Sequence, residues 1–380
     1  MSRDFNKHIA QLRKRRTGGN LSRTITLDEA RLDSVMAKVA ALEAWERRGA
    51  HKTATSYVLG SMQEVGPAYT EIAKQTARNV AVQLESELAK RQIKAVFHLQ
   101  GSVPLNVHIR DVSDVDLLTI DPAIVMISMT GVKARSSHYP STDRTGLEVL
   151  QELRRAVEAV PASAYRAGKV DLTGSKAVKI SGGSLPMPVD VVPAMWFDTD
   201  EYQRTNKTND RGVYILDKKA AEKVKNHPFL HIDRVIARCD QAKGGLRKAV
   251  RLCKSVKAEA ESDGKSIPLP SFDITSIFYH ADLKALAVGQ IFELGILAEA
   301  QRHVEALTKN RAATEKLLVP DGSRPIINTA EKWTGLVNLS LELDDLVREI
   351  AQEHADPRTW RSSAPLSESR AILNAAYIGE

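Results

Sequence analysis

The spacing of apolar residues changes character along the chain. Over residues 65–91 they recur three and four apart, through Glu71-Ile-Ala-Lys and Val82-Gln-Leu-Glu, which predicts an amphipathic helix. An earlier helix is expected from Thr26, a cap residue followed by Asp28 and Glu29, to about Arg48, just before Gly49. Ahead of it, residues 1–25 are basic, carry Gly18-Gly19-Asn20 and read as a mobile arm. The run Lys94-Ala-Val-Phe-His-Leu predicts a buried strand leading into Gly101. Further strands are expected at Asp116-Leu-Leu-Thr-Ile, Val178-Lys-Ile-Ser, Pro188-Val-Asp-Val-Val and Gly212-Val-Tyr-Ile-Leu. A helix is expected at about 143–159, and the stretch after Asp121, with Ser136, Ser137 and Pro140, reads as irregular. From about residue 217 long helical patterns dominate, over 220–226, 232–260, 274–307 and 329–354. The Ser- and Ala-rich segment beyond Asp356-Pro357 reads as a loosely held tail. The fold class expected is α+β, with N-terminal arm and helices over 1–92, a mixed sheet over 93–220, a helical lobe over 221–356 and a flexible tail over 357–380.

Composition narrows the partners only a little. The chain has 380 residues, 43% of them hydrophobic, enough to bury a core. Its formal charge of +7 and pI of about 9.2 suit an anionic partner. The charges are spread rather than blocked. No run of eighteen apolar residues occurs, so no membrane span is expected. The basic N-terminus lacks the apolar stretch of a signal peptide, which leads to the expectation of a cytoplasmic protein. The two cysteines, Cys239 and Cys253, have no metal-ligand spacing and read as reduced core thiols.

Three acids change the picture. In GSVPLNVHIRDVSDVDLLTID, from Gly101 to Asp121, Asp114 and Asp116 stand two apart at the mouth of an apolar strand. Residues i and i+2 of a strand share a face, so both carboxylates aim at one small volume. Like charges that close repel unless a cation lies between them. A third acid, Asp190, is isolated in Met187-Pro-Val-Asp-Val-Val-Pro-Ala. An unpaired carboxylate in such a strand is costly to bury. Set beside Asp114 and Asp116, it makes a cluster able to hold two Mg²⁺ or Mn²⁺ ions roughly 3.5–4 Å apart and to orient an attacking hydroxyl. Gly101-Ser102 follows a strand, and a helix starting at Ser102 would turn its positive end to a phosphate. Gly60-Ser61 is a second such pair, with no paired acids behind it, and is taken as structural. His227 and His231, flanking Pro228-Phe-Leu, are read as a helix-entry turn.

The order strand, Gly-Ser, Asp-x-Asp, then a distant Asp in a VDVVPA strand resembles the DNA polymerase β-like nucleotidyltransferases. Within them it is most similar to the bacterial CD-NTases, relatives of cyclic GMP-AMP synthase and oligoadenylate synthase. Gly244-Gly-Leu-Arg-Lys-Ala-Val-Arg-Leu-Cys-Lys resembles the helix that delivers a triphosphate-binding lysine, here Lys254. Pro270-Ser-Phe-Asp-Ile-Thr resembles the helix start whose serine, here Ser271, also contacts phosphates, and Val319-Pro-Asp-Gly a loop that returns to the core. The resemblance spans about residues 90–350. It departs at Val103-Pro104-Leu105-Asn106-Val107, where small or hydroxyl residues are usual, and in the roughly 100 residues before Gly101. No zinc-ribbon insertion is visible. It implies a catalytic lobe over 93–220, an active site between lobes, and metal-dependent joining of nucleoside triphosphates, ATP or dATP favoured, with release of pyrophosphate. It also implies a signalling oligonucleotide for anti-phage defence and a separately encoded effector that receives it.

Two products stay open at this point, a cyclic di- or trinucleotide and a linear oligonucleotide. The tail Ala371-Ile-Leu-Asn-Ala-Ala-Tyr-Ile-Gly-Glu carries Tyr377, the only tyrosine after Tyr279. Its phenol could serve as the first attacking hydroxyl, which resembles the Hailong-type defence nucleotidyltransferases that make oligodeoxyadenylate. A third reading, an inactive nucleotidyltransferase-like module binding nucleic acid through its basic arm, runs against the intact acid triad.

Overall fold

The computed structural model describes residues 4–16, 44–49, 51–110, 112–165, 168–358, 360–361 and 363–379. Among them seven strands form one mixed sheet: β1 (Val96–Gln100), β2 (Val115–Ile127), β3 (Gly168–Asp171), β4 (Val178–Gly182), β5 (Val189–Asp198), β6 (Gly212–Asp217) and β7 (Glu222–Asn226). The order is β1-β2-β5-β4-β3, with β6 and β7 added on β5. β5 is the axis of the sheet. It runs parallel to β2 and antiparallel to β4 through Val191, then exchanges β4 for β6 from Ala194 onward. Pro193, which has no N–H to give a ladder, falls at that exchange. Almost every side chain of β5 is buried, as suits a strand covered on both faces.

The helices of the first half are α1 (Phe5–Arg16), α2 (Ala44–Arg48), α3 (Thr53–Met62), α4 (Pro67–Ala89), α5 (Val132–Arg135), α6 (Gly146–Ala164) and α7 (Asp200–Thr205). Those of the second half are α8 (Pro228–Gln241), α9 (Gly245–Ser262), α10 (Ser271–Tyr279), α11 (Leu283–Val288), α12 (Gly295–Lys309), α13 (Arg311–Thr314), α14 (Ala330–His354) and α15 (Leu366–Ala375). α4 and α6 cover one face of the sheet, burying Leu84, Leu88 and Val157 against Leu117, Val189 and Val191. On the other face Phe229 of α8 packs against Trp196 and Val213. α9 is the spine of the helical part, with Leu246, Val250, Leu252, Cys253 and Val256 fully buried.

Several expectations are corrected. α4 belongs to the sheet, while α1 and α3 join the helical core through Ile9, Leu12 and Tyr57, so the segment 1–92 divides between two cores. The arm, where described, carries α1. The helix expected over 26–48 lies outside the described residues except for α2. Residues 220–226, expected helical, form a turn and the edge strand β7. The 232–260 helix is broken at Lys243 and Gly244, both with positive φ (49° and 83°). The 274–307 helix is three helices. The stretch after Asp121 continues β2 past an irregularity between Asp121 and Val125. The tail carries α15, whose Ser369 and Leu373 are fully buried against the helical core. The helix at 329–354 stands, capped by the Thr329 hydroxyl, which accepts from the Lys332 N–H.

Candidate active site

Two neighbouring strands set two of the acids side by side, and a third strand adds a lysine to the row. Asp116 of β2 stands opposite Asp190 of β5, and Lys179 of β4 stands opposite Asp190 on its other side. Leu117, Val178, Ile180, Val189 and Val191 point to the face covered by α4 and α6. Strand alternation therefore puts Asp116, Asp190 and Lys179 on the opposite face. Asp114 lies just ahead of β2, and its carboxylate is ion-paired with the Lys179 ammonium.

The acids of this row floor a cavity of about 340 Å³ between the sheet and helices α8, α9 and α10. Gly101, Ser102, Asp114, Asp116, Asp190, Lys254 and Ser271 all line it. Gly101 opens the turn out of β1 with φ of +74°, and a Cβ there would lie 2.0 Å from Asp116 Oδ2. No other residue lets the carboxylate take this position. After Gly101 the chain makes turns over 101–106, not the expected helix from Ser102. Three cations of α9 hold that loop by its carbonyls. Arg247 donates to Leu105 O (3.0 Å), Arg251 to Asn106 O (2.7 Å) and Lys254 to Val107 O (2.8 Å). Lys254 Nζ also donates to Ser113 Oγ at 3.1 Å, just ahead of the acids.

Charge crowding is visible in the titration of the row. Burial first, then the Asp190 and Asp114 charges, push the Asp116 carboxyl up to about 7. Asp190 is raised by burial and then by Asp114. Burial pulls the Lys254 ammonium down to about 8, with Asp116 opposing. Asp190 Oδ1 is buried and, among the described residues, accepts no hydrogen bond.

These features fit a divalent cation. The donors are hard carboxylate oxygens, one of them has no partner among the described residues, and an ammonium already stands in as counter-charge at Asp114. Among the described residues, no three His, Cys, Asp or Glu side chains yet converge on one cation position. Asp114 is drawn instead to Lys179.

On the opposite wall, Ser271 is the first residue of α10, directly after the N-cap Pro270. This first turn is fixed from behind: buried Asp273 pairs with Arg324 at 2.6 Å and Lys332 at 2.9 Å. Phe272 stacks on the buried His231 ring, with centroids 4.3 Å apart and planes 23° from parallel, and both line the cavity.

Tyr377 is not brought to this place. It is 66% exposed and does not line the cavity. Its neighbours are held elsewhere, since Ile378 is buried and Arg48 donates to the Ile378 and Gly379 carbonyls. Sequence reasoning missed Lys179, Ser113 and the His231–Phe272 pair. A lone lysine within the Val178-Lys-Ile-Ser strand was the available signal for the first.

No family model matches the chain. The cyclic dinucleotide synthase CdnE of Yersinia aleksiciae is 40% identical over 311 residues, covering 82% of this chain and 80% of that protein. A c-di-GMP synthase of a Lachnospiraceae bacterium is 29% identical over 246 residues, 59% of this chain and 68% of that one. Among solved structures, a STING-associated CdnE c-di-GMP synthase from Flavobacteriaceae sp. superposes with a TM-score of 0.68 at 21% identity. It covers 91% of this chain and 98% of its own. The α+β architecture is thus that of the CD-NTase nucleotidyltransferases. Among the described residues no helix is long and apolar enough to cross a membrane. With two fifths of the aligned residues identical to those of a cyclic dinucleotide synthase, across four fifths of both chains, the protein belongs to the CD-NTase family and is a nucleotidyltransferase.

Proposed function

We propose that the protein is a cyclic dinucleotide synthase. A sugar hydroxyl of one nucleoside triphosphate attacks the α-phosphate of a second, releasing pyrophosphate and leaving a linear dinucleotide. A second such attack within that intermediate closes the ring and releases another pyrophosphate. The observation that carries this reading is the Asp116–Asp190 register across parallel strands, facing Lys254 and Ser271 across one cavity. The 40% identity to a named cyclic dinucleotide synthase supports it.

Asp114, Asp116 and Asp190 would hold Mg²⁺ or Mn²⁺, which would supply charge neutralisation at the α-phosphate and the departing pyrophosphate. Asp190 would accept the hydrogen bond of the attacking hydroxyl, orienting it and taking its proton. Lys254 and Ser271 would contact the triphosphate, Lys254 exchanging its bonds to Val107 and Ser113 for phosphate oxygens. Backbone N–H groups of Gly101 and Ser102 can approach the same anion because position 101 has no side chain. Phe272, backed by His231, offers a flat apolar surface to a base. Catalysis then rests on positioning and on fixed charge. On this reading the product is a message in anti-phage defence, received by a separately encoded effector.

The position of Tyr377 outside the cavity favours the cyclic product over a linear one primed from the tail. The test is incubation with each NTP and dNTP, singly and in pairs, followed by phosphatase treatment and mass analysis. A cyclic product has no terminal phosphate and survives unchanged. A product that loses terminal phosphates, or one joined to the protein, contradicts the proposal.

A further inference from the structure

The geometry points to Lys179 as a built-in counter-ion that competes with the divalent cation for Asp114 and must let go when the cation binds. The inference rests on the reading of Asp114, Asp116 and Asp190 as cation ligands and adds a residue to it. Lys179 sits on β4 directly opposite Asp190. Its ammonium pairs with Asp114 and with no other residue whose bond is described. The row across β2, β5 and β4 therefore reads Asp116, Asp190, Lys179, with the lysine reaching past Asp190 to the acid ahead of β2.

Two observations set this apart from an ordinary surface ion pair. First, among the described residues no three His, Cys, Asp or Glu side chains converge on one cation position in the arrangement that has Asp114 paired with Lys179. Second, the carboxylate between the two ends of the row has an oxygen, Asp190 Oδ1, that is buried and, among the described residues, without a partner, although an ammonium lies one strand away. The lysine neutralises one acid and leaves the others wanting a cation. A monovalent ammonium beside the site also repels an arriving divalent ion. Both effects weaken binding of a bare ion. They leave the site to a cation that arrives with enough negative charge, such as a nucleotide triphosphate, to displace Lys179.

The readout is Mn²⁺ binding in the absence of nucleotide, followed by loss of the free-ion electron paramagnetic resonance signal. It is measured on wild type, Lys179→Gln, Lys179→Arg and Asp116→Asn. Removing the like charge should tighten Mn²⁺ binding by Lys179→Gln about tenfold or more. Lys179→Arg, which keeps the charge, should bind like wild type. A structural role alone would not tighten binding. A second measurement needs no variant. In wild type, Mn²⁺ should increase acetylation of Lys179 by acetic anhydride, read by peptide mass spectrometry, because the ammonium is released. If Lys179→Gln binds Mn²⁺ no tighter than wild type while Asp116→Asn weakens it, the cation site stands and the role of Lys179 is wrong. Acetylation that Mn²⁺ leaves unchanged or lowers is equally contrary to it. If Mn²⁺ binds neither wild type nor any variant, the cation site fails and this inference fails with it.

Discussion

Asp116 and Asp190 face each other across the parallel strands β2 and β5, each the other's register partner. This pairing brings residues 74 positions apart in sequence to one point, without either strand needing to bend. It also crowds two carboxylates, and the rest of the site answers that crowding: Lys179 at one end of the row, buried Lys254 above it, and Gly101 clearing space beside Asp116.

Asp190→Asn keeps the size of the side chain and removes the acceptor charge. Nucleotide binding should persist while turnover falls, an effect on kcat rather than KM. Steady-state kinetics on the purified variant decide it. A normal kcat with a raised KM would move Asp190 from the chemical step to substrate binding.

Gly101→Ala should be as damaging as loss of an acid. The added methyl lies 2.0 Å from Asp116 Oδ2, and the backbone there has φ of +74°. Displacing a carboxylate by about an ångström can cost on the order of a hundredfold in rate. The strained backbone costs roughly 1–2 kcal/mol more in stability. Activity and thermal melting of Gly101→Ala test both, and near-normal activity would show that Asp116 need not sit against the turn.

Lys254→Met should raise KM for the nucleoside triphosphate on the order of ten- to a hundredfold, from loss of a charge-assisted contact worth roughly 1.5–3 kcal/mol. The straight apolar side chain still fills the buried position. An unchanged KM would leave Lys254 only its loop contacts with Val107 and Ser113.

The titration of Asp116 gives a pH signature. Its folded value of about 7 lies above the ordinary 3.8, so between those values the folded protein holds a proton that the unfolded chain releases. The stability this supplies to metal-free protein is fully present below about pH 4 and is lost as pH rises through 7. Asp116→Asn should remove that part of the pH dependence of the melting temperature. Mn²⁺ must expel the same proton, so apparent affinity should climb with pH up to about 7 and then level off. A flat Mn²⁺ affinity between pH 5 and 7 would show that Asp116 is already ionised.

The chemistry was more legible in the sequence than the architecture around it. Asp114, Asp116 and Asp190 stood out because strand alternation and isolated charge are local signals. Lys254 and Ser271 came only through resemblance, since a lysine on a helix and a serine after proline are ordinary by themselves. Lys179 was hidden because its meaning depends on which strand lies beside β5. β7 was read as helix since Glu222, Lys223 and Lys225 are poor strand formers. They are tolerated on an edge strand that pairs with β6 alone. The loop after Gly101 makes turns because arginines 142 and 145 residues distant donate to its carbonyls. α15 was read as tail because the core that receives Leu373 is built by α12 and α14.

Product formation by wild type and Asp116→Asn, followed by mass spectrometry with simultaneous pyrophosphate assay, tests the central claim most directly. Each is incubated with all four NTPs and Mg²⁺ or Mn²⁺. Wild type should release two pyrophosphates per product, and the product mass should equal two nucleoside monophosphates less two waters. Asp116→Asn, folded by circular dichroism, should give neither. Wild-type protein that releases no pyrophosphate with any nucleotide, or an Asp116→Asn variant that makes as much product, would contradict the account.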